Sequence, residues 1–366
     1  MHLPVFTIRN VSILLLTGSA VALYLLIRPL LSGQVVVQEY VIRSENESKQ
    51  IPEGTTHVLL GCNVTSTIRD NLKKCSTLNQ LTITVKSTSS EFERIVSLTT
   101  VKQLELFGLE PVKSATFELL KTRNLESLAI HDYAIQATDI GTLTAIPSLN
   151  SVSLYHVDID LDGVKRLAQC QNVKHIHLAG LKHLDSTELS KAVLLHKEIE
   201  VFALTGLPTT ESALLSIVPG ESNLKGLIIT SGSTSLAKAS LDKLVVNASK
   251  LEHLTVCIKS SEALSALAEC KNLQSIVVSL SEECLASECL KALTKVKKLE
   301  EVTLIGAQPP SAKDIEEFVE QCPQIKAVFM YFEKDLDKEA QFKRVITFDS
   351  SKESRKSLRK ALELEK

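Results

Sequence analysis

One hydrophobic pattern recurs along the chain: an apolar residue, two free positions, an apolar residue, one free position, an apolar residue. It begins at Leu78, Val101, Leu125, Leu149, Val173, Ile199, Leu224, Leu251, Leu273, Leu299 and Ile325, a mean period of about 25 residues. Thus "AQCQNVKHIHL" (168–178) and "AECKNLQSIVV" (268–278) are one phrase written four periods apart. Within the phrase the apolar positions alternate, as in Leu128 and Ile130 or Leu254 and Val256, which predicts a short strand with one buried face. The other half of each period is helical. "SATFELLKTR", "LDGVKRLAQC", "TELSKAVLLH", "SEALSALAEC" and "AKDIEEFVEQ" space apolar residues for a helix, with Ser, Asp or Thr near their starts as caps. One strand and one helix cannot bury their apolar faces alone, whereas stacked copies can, with the strands forming a parallel sheet. A degenerate earlier copy, "THVLLGCNV", starts at Thr55, and "FKRVITF" from Phe342 reads as a final partial copy.

The ends break the period. Residues 11–27, "VSILLLTGSAVALYLLI", carry no charge, and with Arg28 snorkelling the apolar stretch reaches Leu31, the length of a bilayer span. Residues 1–34 are therefore expected to form a signal-anchor or a signal peptide. The anchored reading holds the chain to a membrane through residues 11–31. Residues 35–54 are expected to be a linker or N-terminal cap, 55–348 the repeats in 11–12 copies, and 349–366 a C-terminal helical cap. The last segment opens with a capping box, Ser350 to Glu353, and stripes Leu358, Ala361 and Leu362 along one face of a basic helix. Composition adds two constraints. Apolar residues make up 44 % and charged residues 23 %, which is globular, while aromatics are 4 % with no Trp, so the core is Leu, Ile and Val. A net charge of −2 gives no basic field for nucleic acid.

The registered copies resemble the leucine-rich repeat superfamily over about four-fifths of the chain. Their helical second halves resemble its ribonuclease-inhibitor-like and cysteine-containing subclasses, and Cys75, Cys170, Cys270 and Cys322 recur three residues before the phrase as in the latter. The resemblance implies an α/β solenoid, a horseshoe with a parallel inner sheet and outer helices, here behind an N-terminal hydrophobic helix. It also implies binding of protein partners on the concave sheet. One slot departs from the family. Where Asn or Cys usually bonds the loop backbone stand Leu109, Tyr133, Val157, Leu181 and Leu207, so apolar packing is expected to close the loops.

The eight cysteines do not read as a disulfide framework. Parallel strands lie about 4.8 Å apart, so cysteines two to four copies apart exceed the ~7 Å Cα limit for a bridge. Cys62 and Cys75, in adjacent copies, are the one plausible pair. Three sequons, at Asn46, Asn63 and Asn247, permit glycosylation of a luminal body. The expected location is the secretory pathway, membrane-anchored with a luminal or extracellular repeat domain, or secreted after cleavage. The thiol pattern keeps a cytosol-facing body as the alternative.

No phosphate loop, dinucleotide fingerprint, nucleophile elbow or HExxH motif occurs, so no enzyme activity and no cofactor is expected. His175 and His177 flank Ile176 and project from one strand face, yet neighbouring strands offer no strong third ligand, so no metal site is expected. Both are expected to line the inner surface. There, three successive strands place Phe107, His131 and Tyr155 side by side, an exposed aromatic row pointing away from the core; Phe329 and Tyr331 form a second. The function read from the sequence is a non-enzymatic protein-binding scaffold. The second reading is a cytosol-facing adaptor of the ubiquitin-ligase substrate-recognition type.

Overall fold

Each of the eleven phrases opens two residues before a β-strand. The structure, a computed structural model, describes residues 39–108, 117–181, 184, 195–206, 211, 215–216, 218–230, 235–306, 309–332 and 345–347. The expected N-terminal apolar segment and the expected C-terminal basic helix lie outside the described residues. Among the described residues no helix is long and apolar enough to cross a membrane.

The chain divides into two bodies. In the first, which ends at Leu207, strands β1 (Glu39–Ile42), β2 (His57–Leu60), β3 (Gln80–Ile83), β4 (Gln103–Phe107), β5 (Ser127–His131), β6 (Ser151–Tyr155), β7 (His175–Ala179) and β8 (Val201–Thr205) pair in parallel, each with the next. The register follows the phrase: Leu81, Leu104, Leu128, Val152, Ile176 and Phe202 form one row of partners, all buried.

Two backbone devices hold that register. Before each strand, one carbonyl accepts two successive amides of the following repeat: Asn79 O takes Lys102 N at 2.9 Å and Gln103 N at 3.0 Å, and Asn150 O takes Lys174 N at 2.8 Å and His175 N at 2.9 Å. After each of strands β4 to β8, one residue adopts positive φ: Gly108, Asp132, His156, Gly180 and Gly206. That twist turns its amide toward the next repeat, so Gly108, Asp132, His156 and Gly180 donate to the carbonyls of His131, Tyr155, Ala179 and Thr205 at 2.8–3.1 Å. Gly180 is constrained twice, since a Cβ there would collide with the His156 imidazole at Nδ1. We expect Gly180→Ala to lower the unfolding free energy by about 2 kcal/mol, from left-handed strain plus displacement of the imidazole. Urea unfolding checks this, and His156→Ala in the same chain should restore part of the loss.

Of the predicted helical segments, "LDGVKRLAQC" and "AKDIEEFVEQ" form capped α-helices, "SATFELLKTR" holds a 3-10 turn over Leu119–Thr122 without a side-chain cap, and "TELSKAVLLH" up to Leu194 lies outside the described residues. Thr65 opens α1 (Ser66–Lys74) by accepting from Ile68 N, and Asp160 opens α4 (Leu161–Ala168) by accepting from Gly163 N. Thr88 and Glu91 form a capping box on α2 (Ser89–Val96), and buried Glu91 also accepts from Val64 N of the preceding repeat at 3.0 Å. Between them lies α3 (Ala137–Thr144). Their buried faces are Ile68 and Leu72, then Phe92, Ile95 and Val96, then Ile140 and Leu143, then Val164 and Leu167. The slot that lacks Asn or Cys is apolar as expected at Tyr133, Val157 and Leu181, all buried; Leu109 and Leu207 lie outside the described residues. Residues 35–54, expected as linker or cap, contain a strand: Glu39–Ile42 pairs in parallel with His57–Leu60 and extends the sheet by one copy without the full phrase.

In the second body, from Pro208 onward, β9 (Gly226–Thr230), β10 (His253–Ile258), β11 (Ser275–Leu280), β12 (Glu301–Gly306) and β13 (Ala327–Phe332) pair in parallel in chain order. Helices α5 (Lys238–Asn247), α6 (Ala286–Leu293) and α7 (Ala312–Gln321) lie between them, α7 with a Ser311–Asp314 capping box. "SEALSALAEC" is not an α-helix but a 3-10 helix over Ser261–Glu269. Ser260 makes no capping bond, and apolar Leu264, Leu267 and Cys270 recur every third residue, which suits three residues per turn. "FKRVITF" is not a further copy: β14 (Val345–Thr347) pairs antiparallel with Ala327–Phe329 and covers that sheet edge.

Candidate interaction surface

The face of the first body opposite its helices carries side chains from alternate strand positions. These do not stand apart; they interlock across all eight strands. Glu39 Oε2 on β1 lies 3.5 Å from His57 Nδ1 on β2. His57 Nε2 faces Thr82 Oγ1 on β3 at 3.1 Å, and the Thr82 hydroxyl donates to Glu105 Oε2 on β4 at 3.1 Å. The threonine proton is thus committed to Glu105, so His57 Nε2–H is the donor to Thr82. Glu105 Oε1 then lies 3.1 Å from His131 Nε2 on β5. A carboxylate only accepts, so His131 carries a proton on that nitrogen.

From His131 the chain of contacts passes through rings. Phe107 stacks on His131 with centroids 3.8 Å apart and planes 11° apart, and His131 stacks on Tyr155 at 4.2 Å and 11°. Strand spacing sets this ladder, since Phe107, His131 and Tyr155 are register partners. Tyr155 meets His177 edge-on and its hydroxyl lies 3.0 Å from His177 Nδ1; His177 Nε2 lies 3.4 Å from Thr205 Oγ1 on β8. Both partners are hydroxyls that donate or accept, so either neutral tautomer is satisfied. Burial, with a smaller contribution from nearby His131, pushes the His177 pKa down to about 3, so the ring is neutral.

These contacts correct the picture of an exposed aromatic row. His131 is 3 % exposed and Tyr155 2 %, and Phe107 is half-buried. The rings close over one another instead of standing free. His175 is exposed at the start of β7, while His177, two residues on, is 5 % exposed and held between Tyr155 and Thr205. The described residues hold no group of three His, Cys, Asp or Glu able to take a metal ion. Phe329 is half-buried on β13; the side chain of Tyr331 lies outside the described residues. The polar members Glu39, His57, Thr82, Glu105 and Thr205 were missed by sequence reasoning. Glu39–His57 and Thr82–Glu105 join register partners, while His57–Thr82, Glu105–His131 and His177–Thr205 run diagonally, two positions out of register.

Cys62 and Cys75 form no disulfide with each other, and none of the other six cysteines is in one. The Cys62 thiol points to Ile42 O at the end of the neighbouring strand β1, and the Cys75 thiol to Asn71 O of its own helix. Burial raises the thiol pKa values of Cys270 and Cys322 to about 11 and of Cys289 to about 12, so these are unreactive core thiols. Of the sequon residues, Asn46 and Asn63 are exposed. Asn247 is half-buried, and its amide donates to Val218 O at 3.2 Å.

Strand-plus-helix units stacked through a parallel sheet make this a repeat protein whose geometry fits a leucine-rich-repeat architecture. No family model and no curated protein matches the chain. Among solved structures it is similar to "TLR13-ssRNA13 complex", at 12 % identity and a TM-score of 0.39 over 81 % of this chain and 54 % of that one. This chain therefore spans about half the length of that protein. It is also similar to an internalin (inlF) from Listeria monocytogenes str. 4b F2365, at 14 % identity and a TM-score of 0.40, over 82 % of this chain and 88 % of that one. The fold assignment rests on the strand register and backbone hydrogen bonding of this chain.

Proposed function

We propose that the protein is a non-enzymatic binding scaffold of leucine-rich-repeat type that holds a protein partner on the sheet face of its first body. One observation carries this reading: a contact chain of side chains spans eight strands and fixes that face in advance, so little side-chain freedom remains to be lost on binding. Its ends and rim stay accessible through Phe107, Glu105 and His175. The recurring cysteines, buried at Cys170, Cys270 and Cys322, suit the cysteine-containing subclass, while the apolar loop slot sets this chain apart from the usual repeat. The body is proposed to reside in the secretory pathway, anchored through residues 11–31 or secreted after cleavage.

A second reading, a cytosol-facing adaptor, is favoured by the lack of any disulfide among the eight cysteines. Protease protection of the membrane fraction with N-terminal sequencing separates the two. The scaffold reading itself is tested with a photo-crosslinking amino acid placed in the full chain at Gln103 or Ser127 on the sheet face, and at Lys73 or Asp242 on helices. Partner cross-links are expected from the sheet-face positions; cross-links from the helix positions alone overturn the reading.

A further inference from the structure

The ring ladder stops one rung short. Tyr155, His131 and Phe107 occupy the same strand position on β6, β5 and β4. The register carries that position on to Thr84 beside β3, Gly61 beside β2 and Arg43 beside β1. His131 covers one face of the Phe107 ring; the other is turned toward Thr84. Thr84 and Gly61 are both exposed, and the Thr84 hydroxyl is turned away to Leu60 O at 3.0 Å. Gly61 has no backbone reason to be glycine. Its φ is not left-handed, and a Cβ there would meet nothing closer than 3.7 Å. Its effect is to leave the floor bare next to Thr84.

We infer that this shelf takes an aromatic side chain of a protein partner, stacked on the outer face of Phe107 above Thr84 and Gly61. The inference rests on the scaffold reading and names the chemistry that the sheet face selects. A planar ring placed there continues the offset stack at strand spacing, against a surface already rigid because His131 is held by Glu105 and Tyr155. Charge selects a protein over a nucleobase. Glu45, Glu47 and Glu105 lie near the shelf against Arg43 and Lys86, a balance that disfavours a phosphate backbone.

The chain contains no Trp, so the fluorescence of N-acetyl-tryptophanamide added to the full-length protein, excited at the red edge of the indole band where tyrosine does not absorb, reports the probe alone. Saturable binding in the millimolar range is expected, competed by N-acetyl-tyrosinamide and not by N-acetyl-leucinamide. Phe107→Leu, which keeps an apolar side chain and loses the ring, should weaken the probe at least tenfold. Thr84→Phe, which fills the rung with the chain's own ring, should abolish binding with an unchanged circular dichroism spectrum and melting temperature. Equal probe affinity in Thr84→Phe and parent overturns the inference. So does displacement of the probe by an oligouridylate but not by N-acetyl-tyrosinamide, which would make the occupant a nucleobase. A sheet-face cross-linked partner that binds Thr84→Phe as well as parent removes this rung and leaves the scaffold standing. Probe binding without any sheet-face cross-link overturns the protein occupant and the scaffold together.

Discussion

Tyr155→Ala is expected to destabilise the first body by about 3–5 kcal/mol, the scale for deleting a buried aromatic ring. Tyr155 is 2 % exposed, one face packed on His131 and its edge on His177, so its removal opens a cavity between two imidazoles. It also takes the hydroxyl from His177 Nδ1 in a site with little access to water. Tyr155→Phe separates the two contributions. It keeps the ring and loses the hydrogen bond alone, for about 1–2 kcal/mol. Urea unfolding of parent and both variants measures this. A Tyr155→Ala midpoint within the range of an ordinary surface substitution would mean that the ring stack carries no weight. The same comparison decides how Tyr155 contributes to binding. A residue this buried acts by holding His131 and Phe107 in place, so Tyr155→Phe should bind partners like the parent.

How the sequence relates to this surface depends on the type of contact. Strand positions were legible because a one-residue slip would invert every side chain, which forces the apolar phrase into register at all eleven places. Helix starts at Asp160 and Ser311 were legible because a capping oxygen must sit at a set distance from the first free amides. Glu39–Ile42 was not, since an edge strand needs one pairing neighbour and carries only part of the phrase. The 3-10 helix at Ser261–Glu269 was misread because its apolar residues satisfy a period of three as well as one of 3.6. The aromatic row was placed on the right strands and given the wrong exposure. Alternation says which face a side chain leaves from, and nothing about whether it then leans onto its neighbour. Phe107, His131 and Tyr155 lean, because flat rings at strand spacing reach stacking contact. The polar half of the chain of contacts alternates between register partners, as in Thr82 with Glu105, and positions two residues out of register, as in Glu105 with His131, so no single row of the repeat alignment contains it.

Acid should weaken the first body through His177. In the folded chain this imidazole is buried between Tyr155 and Thr205 with its pKa pushed from 6.5 to about 3. In the unfolded chain it titrates near 6.5. Between those values the unfolded state binds a proton that the folded state refuses, so stability falls as pH drops from 6.5 toward 3 and is fully present above 6.5. Linkage makes the loss about 2 kcal/mol between pH 7 and pH 5. The ionisable side chains of Glu39, His57, Glu105 and His131 lie along the same contact chain, so the parent curve alone does not isolate His177. His177→Gln does. It keeps a donor and an acceptor for the two hydroxyls, cannot take up the proton, and leaves the other groups in place. At pH 7 the variant should be the less stable protein, because the amide fills the site less well. The gap should close by about 2 kcal/mol on going to pH 5, as the parent alone pays for refusing the proton. Urea unfolding of both chains at pH 7, 6 and 5 reads this difference. Parallel stability curves would show that folded His177 is protonated as readily as in the open chain, and that the seal made by Tyr155 and Thr205 admits water.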